Sequence, residues 1–329
     1  MTTLSRVRNL ADLAIAASLP ASAGEWLGRR LQPDDLRITT IRKPRGGYRV
    51  VCEPIDSSLM RLQKRLKEFI DRKVLDPHPS VHGFTRGRGP YSNAQAHLDA
   101  RAILTVDVTD FFPSITRSQI EDALQERGAS SSIAASIANV TTFRGTLATG
   151  FPTSPVLSNL VFRPLDDQFK SFADAHALTY TRYADDLTFS GDEVGDETLA
   201  NVNDLLTTAG FQVNEKKVRF QRKGHPQIVT GFAIAHSDDV RLPKAWKRRL
   251  RQDLYYAARH GLDAQARHRN LDEDAFIERL QGRINYLMCA ERTLALHLRE
   301  EFDAILAPYP AANTTPTTSP SAHPSSPQH

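Results

Sequence analysis

Two adjacent aspartates, Asp185 and Asp186, lie between two short runs rich in apolar and β-branched residues, Leu178–Tyr183 and Leu187–Ser190, and no other feature constrains the fold as tightly. Neighbouring side chains on a regular strand face opposite ways. The pair can therefore converge only where the backbone reverses, which predicts a hairpin with the acids at its tip. A third acid, Asp107, ends another apolar strand, Leu104-Thr105-Val106-Asp107. Three carboxylates brought together repel and raise one another's pKa, so such a cluster is stable mainly with cations present. Oxygen ligands without His or Cys favour Mg²⁺ or Mn²⁺ over zinc. Two such ions about 3.5–4 Å apart can clamp the attacking and leaving oxygens of an in-line phosphoryl transfer. An isolated Asp-Asp pair is usually a solvated turn, but that reading leaves the apolar flanks and the second acid-bearing strand unexplained.

The rest of the chain divides by pattern. Residues 6–24 imitate a secretory leader, with Arg6 and Arg8 ahead of an apolar run and Ala21-Ser22-Ala23 behind it. Asp12 interrupts that run, while Leu10, Leu13, Ala14 and Ala17 recur at helical spacing, so an amphipathic helix is expected within residues 1–27. Arg37–Lys43 and Tyr48–Cys52 read as strands joined by the turn Pro44-Arg45-Gly46-Gly47. A helix over 56–74 carries Leu59, Leu62, Leu66, Phe69 and Ile70 on one side, and a Gly-rich basic loop, Gly83–Gly89, follows. A strand at Ala102–Asp107, helices near 116–126, 129–140, 154–176 and 196–209, and strands at 211–213, 217–221 and 227–234 complete the centre. Residues 243–304 read as helical in about three segments. The stretch from Pro308 to His329 has no Asp, Glu, Lys or Arg and is expected to be disordered.

Four blocks in order carry a family resemblance. Tyr183-Ala184-Asp185-Asp186 resembles the YxDD signature of reverse transcriptases, in the Ala form of bacterial enzymes. Asp107-Val108-Thr109-Asp110-Phe111-Phe112-Pro113-Ser114-Ile115 resembles their first catalytic block. Gly150-Phe151-Pro152-Thr153-Ser154-Pro155 and Gly210-Phe211-Gln212-Val213-Asn214-Glu215-Lys216-Lys217 resemble the blocks before and after the signature. Asn93-Ala94-Gln95-Ala96-His97, preceded by His82-Gly83-Phe84, and Val229-Thr230-Gly231 resemble the NAxxH and VTG elements of retron enzymes. The resemblance covers residues 37–234, with a helical segment following where the family's thumb stands.

The resemblance implies an α+β right-hand polymerase fold, with fingers about 28–100, palm about 101–235, and a helical thumb over 236–306. Asp107, Asp185 and Asp186 would be catalytic and hold two Mg²⁺ ions, with Mn²⁺ as an alternative. Lys43 and Arg49 would grip the triphosphate of an incoming dNTP, helped by backbone amides near Asp110 and Phe111. Phe112 matches the bulky residue that excludes a ribose 2′-OH, and Lys217 matches a lysine near the nucleotide phosphates. Asn93, His97, Val229, Thr230 and Gly231 are expected to contact RNA. Leu147-Ala148-Thr149-Gly150 departs from the common Leu-Pro-Gln-Gly, so a contact from the Gln to nucleotide or template is expected to be lost or water-mediated at Thr149. The implied partners are a structured noncoding RNA that serves as template and primer, its branched DNA product, and a separate effector protein in antiphage defence.

Charge supports a polyanion partner. The net charge is only +4, yet Arg241, Lys244, Lys247, Arg248, Arg249 and Arg251 fall within eleven residues that contain no acid. In a helix beginning near Pro243, Lys244, Lys247, Arg248 and Arg251 share one face and are expected to bind RNA phosphates. Cys52 and Cys289 form neither a disulfide framework nor a zinc motif, and a cytoplasmic setting is expected. No stretch approaches the roughly 20 apolar residues of a membrane span. Two rivals remain: another bacterial reverse transcriptase of the diversity-generating or free-standing defence type, and a non-catalytic RNA-binding palm scaffold.

Overall fold

The computed structural model describes residues 3–43, 46–234 and 239–307, and these divide into two compact units that meet at Pro243 and Lys244. The tail after Ala307 and part of the 44–47 turn, both assigned above, lie outside the described residues.

The first unit opens with two short helices, α1 (Leu10–Ala16) and α2 (Ala23–Leu27), where one amphipathic helix was expected. Asn9 caps α1, and Ser18 in the left-handed region (φ 50°), two residues before Pro20, ends the helical path between them. Strands β1 (Leu36–Arg42) and β2 (Tyr48–Pro54) form a two-stranded antiparallel ribbon. Helix α3 (Ser57–Lys73), capped by Asp56, buries Leu59, Leu62, Leu66, Phe69 and Ile70 as its spacing requires. After the short α4 (Pro90–Gln95) comes β3 (Ala102–Asp107), buried along its whole length. The chain continues through α5 (Phe111–Ser114), α6 (Arg117–Glu126), α7 (Ser131–Thr141) and the small hairpin β4 (Thr142–Phe143) and β5 (Thr146–Leu147). Then follow α8 (Ser154–Ala175), β6 (Thr179–Tyr183), β7 (Asp186–Gly191), α9 (Asp196–Thr208) and β8 (Arg219–Arg222).

The central sheet has the antiparallel order β6-β7-β3-β8. Its core includes Leu104, Val106, Tyr180, Leu187 and Phe189 from the strands, with Phe162 and Phe169 from α8. Of the three strands expected after α9, the one at 211–213 is reduced to a single bridge between Val213 and Val108. The one at 227–234 is itself a hairpin, β9 (Ile228–Val229) with β10 (Phe232–Ala233). Its turn residues Thr230 and Gly231 both have positive φ, 45° and 87°, the conformation a tight two-residue hairpin demands.

The second unit holds four helices rather than about three: α10 (Lys244–His260), α11 (Leu262–His268), α12 (Glu273–Met288) and α13 (Arg292–Leu306). Leu250, Leu254 and Ala257 of α10 are buried in it, as are Phe276, Leu280, Ile284, Leu298 and Phe302. Buried Asp253 accepts hydrogen bonds from Arg269 (2.7 Å) and Arg283 (2.8 Å), so its charge is paired. Among the described residues no helix is long and apolar enough to cross a membrane.

Candidate functional site

Strand register assembles the site. In the β3–β7 pairing Asp107 stands opposite Asp186, and in the β6–β7 hairpin Tyr183 stands opposite Asp186, leaving Ala184 and Asp185 as a two-residue turn. Ala184 takes a left-handed conformation (φ 57°), which costs a non-glycine residue roughly 1–2 kcal/mol. Hydrogen bonds from both sides hold the turn: Val108 N–H donates to the Asp185 carbonyl (3.0 Å), and Arg182 Nη1 donates to the Ala184 carbonyl (3.1 Å). The three acids expected to converge are therefore brought together by pairing alone.

Beneath the turn lies a buried polar network that sequence reasoning missed. Arg182 and Asp166 are both fully buried and form a bidentate pair, Nε–Oδ1 and Nη2–Oδ2 each 2.7 Å. Tyr180 donates to the same carboxylate at 2.7 Å, and Arg182 also reaches Asn159 Oδ1 at 3.1 Å. An arginine within a run of strand-forming residues was the available signal.

Burial and mutual repulsion dominate the electrostatics of the cluster. Burial first, and then the charge of Asp107, pushes the Asp185 carboxyl up. Burial, then the charges of Asp185 and Asp107, raise Asp186 to about 6. Asp107 accepts from Lys217 Nζ (2.8 Å) and Asn214 Nδ2 (3.1 Å), so an ammonium already stands on one of the carboxylates. Among the described residues no group of three or more His, Cys, Asp or Glu side chains is arranged to hold a metal ion as it stands. The donor set nevertheless fits hard divalent cations: it is all oxygen, mutually repelling, and open to further ligands from substrate and water.

The remaining expected residues fall into three groups. Phe112 is half-buried, stacked with Phe84 (6.1 Å, 29°) and tilted against Phe111 (5.4 Å, 48°). Phe111 is a core residue against Phe162 (5.0 Å), so only its backbone can meet a nucleotide. Asp110, in the left-handed region (φ 44°), starts α5. Arg49 is exposed on β2 opposite Ile41, and the partly exposed Lys43 follows the end of β1, so strand alternation puts both cations on one side of the ribbon. The base of that ribbon rests on the segment that departs from Leu-Pro-Gln-Gly. Cys52 N–H donates to the Thr149 carbonyl (2.8 Å), and a Cβ on Gly150 (φ 107°) would fall 2.5 Å from the Cys52 carbonyl oxygen.

Three of the residues expected on RNA are instead interior. Asn93 and His97 are 0% and 1% exposed, and Val229 is 1% exposed, so none can reach a nucleic acid. The His97 ring bridges Ser190 Oγ and Thr181 Oγ1, each at 2.6 Å, and burial, with the charge of His82, pushes its pKa down to about 3. It is a neutral strut between the strands of the hairpin that carries Asp185 and Asp186. Thr230 Oγ1 donates to the Pro90 carbonyl (2.7 Å), tying the β9–β10 turn to the start of the helix that carries Asn93. Thr230 and Gly231 do reach a surface: with Tyr183, Asp186 and Arg219 they line a cavity of about 310 Å³.

On α10, Lys244, Arg248 and Arg251 are exposed, but Lys247 is a correction to the expected stripe. Its ammonium lies 2.9 and 2.7 Å from the two carboxylate oxygens of Glu291, which neutralises it within the second unit. Exposed Tyr255 and Tyr256 extend the cationic face, a feature periodicity did not single out.

Residues 41–246 match the family described as reverse transcriptase (RNA-dependent DNA polymerase). The chain is 35% identical over 254 residues to the retron Mx65 reverse transcriptase of Myxococcus xanthus, covering 70% of this chain and 58% of that relative. It is 29% identical over 289 residues to the retron Mx162 reverse transcriptase of the same organism, covering 77% and 59%. It is 30% identical over 206 residues to the retron Ec86 reverse transcriptase of Escherichia coli, covering 60% and 63%. The chain thus spans about three fifths of the length of these relatives.

Proposed function

The chain belongs to the reverse transcriptase family, in its bacterial retron type, and from that premise we propose that it is an RNA-directed DNA polymerase. Its fold is the right-hand polymerase fold, and the helical second unit is our candidate for the thumb. The observation that carries the reading is the register that sets Asp107 opposite Asp186 with Asp185 on the adjoining turn.

Asp107, Asp185 and Asp186 are the residues to hold two Mg²⁺ ions, or Mn²⁺. Bound there, the ions supply activation of a primer hydroxyl and neutralisation of the triphosphate. The protein's own groups do the rest. Lys43 and Arg49 bind and orient the triphosphate as charge-assisted donors. Phe112 stands against the sugar and excludes a 2′-OH. Lys217, exchanging its hold on Asp107 for substrate phosphate, balances charge beside the reacting centre. Thr230 and Gly231 border the cavity at Asp186 into which a primer end fits.

The retron resemblance extends the proposal to substrate. The template and primer are one structured noncoding RNA, synthesis starts from an internal 2′-OH of that RNA, and the product is a branched RNA–DNA. A separate effector protein would couple that product to antiphage defence. Lys244, Arg248 and Arg251 supply sequence-independent affinity for the RNA, and its shape and loops supply specificity.

Primer extension with Mg²⁺ or Mn²⁺, followed by sequencing of nucleic acid that copurifies with the protein, tests the proposal. Extension that continues in Asp185→Asn or Asp186→Asn would refute the polymerase reading. Copurifying nucleic acid without a DNA branch on one RNA species would refute the retron substrate alone.

A further inference from the structure

The loop His82-Gly83-Phe84 is attached to the hairpin that carries Asp185 and Asp186 through the backbone of His82 and Gly83. His82 N–H and Gly83 N–H both donate to the Arg182 carbonyl (2.8 and 3.3 Å), and Arg182 N–H donates to the Ser80 carbonyl (2.9 Å). The Gly83 carbonyl accepts from Asn159 Nδ2 (3.0 Å), whose own Oδ1 accepts from Arg182. The approach is so close that a Cβ on Gly83 would lie 2.2 Å from the Ala184 backbone nitrogen. Backbone is in contact with backbone at the tip that carries Asp185 and Asp186.

Phe84 follows directly and sits in the left-handed region (φ 58°), an uncommon conformation for a bulky residue that persists only where its surroundings enforce it. The ring is 42% exposed, so burial does not account for holding it there. What the conformation achieves is a stack on Phe112, with centroids 6.1 Å apart and planes 29° from parallel. Phe112 has Phe111 as its other ring neighbour, and Phe111 continues into the core through Phe162.

A sugar gate discriminates by a fraction of an ångström, so its distance from the carboxylates has to be held from more than one direction. The chain from Asp107 to Phe112 through α5 holds it from one side. We infer that Phe84 is a positioning residue for sugar selection: through Gly83 it references the Phe112 ring to the Asp185–Asp186 turn and keeps that ring from swinging aside for a 2′-OH. The inference rests on the reading of Phe112 as the gate, which Phe112→Ala tests independently.

The experiment measures kcat/KM for a dNTP and the matching rNTP in single-nucleotide extension by wild type, Phe84→Ala, Phe84→Leu, Phe84→Tyr, Phe112→Ala and the Phe84→Ala/Phe112→Ala pair. A ring pair of this kind is worth a factor of about two to twelve. Phe84→Ala and Phe84→Leu should lower dNTP-over-rNTP discrimination by about that factor, through a fall in KM for the rNTP, while dNTP turnover stays near wild type. Phe84→Tyr, which keeps the ring, should retain discrimination. The double variant should discriminate no worse than Phe112→Ala, since the two act through one ring. The inference is overturned if Phe84→Leu discriminates like wild type while Phe112→Ala does not, which leaves the gate standing. It is overturned equally if Phe84→Leu weakens primer–template binding with unchanged sugar choice, which would make Phe84 a template contact. Unchanged discrimination in Phe112→Ala removes the gate and the inference with it.

Discussion

Replacing Asp186 by Asn should make the ion-free protein more stable while abolishing its activity. Asp186 is raised from the ordinary 3.8 to about 6, a difference of about two pH units, or about 3 kcal/mol at ~1.4 kcal/mol per unit. For an acid raised on folding, the native state binds the extra proton, so its contribution favours the fold below about pH 4 and is lost as pH rises through about 6. At pH 8 without divalent ions, the ionised side chain therefore works against the fold. Burial is the leading cause and an Asn shares part of that cost, so Asp186→Asn should recover about 1–2 kcal/mol, or about 2–8 °C in Tm for a unit of this size. Adding Mn²⁺ should reverse the order, because wild type gains about 2.7 kcal/mol at a hundredfold excess over Kd and the variant gains little. Thermal melts at pH 4 and pH 8, with chelator and with Mn²⁺, give the readout. A variant less stable than wild type at pH 8 in chelator, or one that gains equally from Mn²⁺, would refute the carboxylate-cluster reasoning.

Four further outcomes are expected. Phe112→Ala should admit ribonucleotides in single-nucleotide extension, whereas Phe111→Ala, which opens the core against Phe162, should lower Tm by a cavity cost of about 3–5 kcal/mol without altering sugar choice. His97 is held down to about 3, so its contribution is full above pH 6.5 and lost as pH falls towards 3; an acid-unfolding limb that keeps its slope in His97→Gln would argue against it. Lys244, Arg248 and Arg251 together changed to Glu should weaken RNA binding and lower the salt slope by about 2 on single strands, while Lys247→Met, which removes the ammonium from Glu291, should act mainly on stability; filter binding across a salt series separates the two. Arg182→Met leaves Asp166 charged and buried, and should cost about 3–5 kcal/mol in urea unfolding, a loss that a second change of Asp166 to Leu should largely restore.

The strands of the central sheet and the long helices were legible because their signals are local. The apolar run Ala102–Asp107, the hairpin around Ala184-Asp185 and the spacing of Leu59, Leu62, Leu66, Phe69 and Ile70 each state their own secondary structure. The convergence of Asp107 with Asp185 and Asp186 was legible too, because only a backbone reversal lets adjacent acids face one site. Which polar residues would be enclosed was not. Asn93 lies in a short helix and His97 just beyond its end, a stretch that reads as surface, yet packing buries both and turns His97 into a bridge between Thr181 and Ser190. Gly83 could be seen to be a glycine, but the reason it must be one is a backbone about a hundred residues away in sequence. Lys217 on Asp107 and Glu291 on Lys247 are likewise long-range pairs, and they decide which cations of the chain are already neutralised. Periodicity and turn chemistry act over a few residues, so the sequence alone determined most of the elements and the convergence of Asp107, Asp185 and Asp186. Enclosure, close approach and charge pairing depend on segments distant in the chain, and only the tertiary structure decided them.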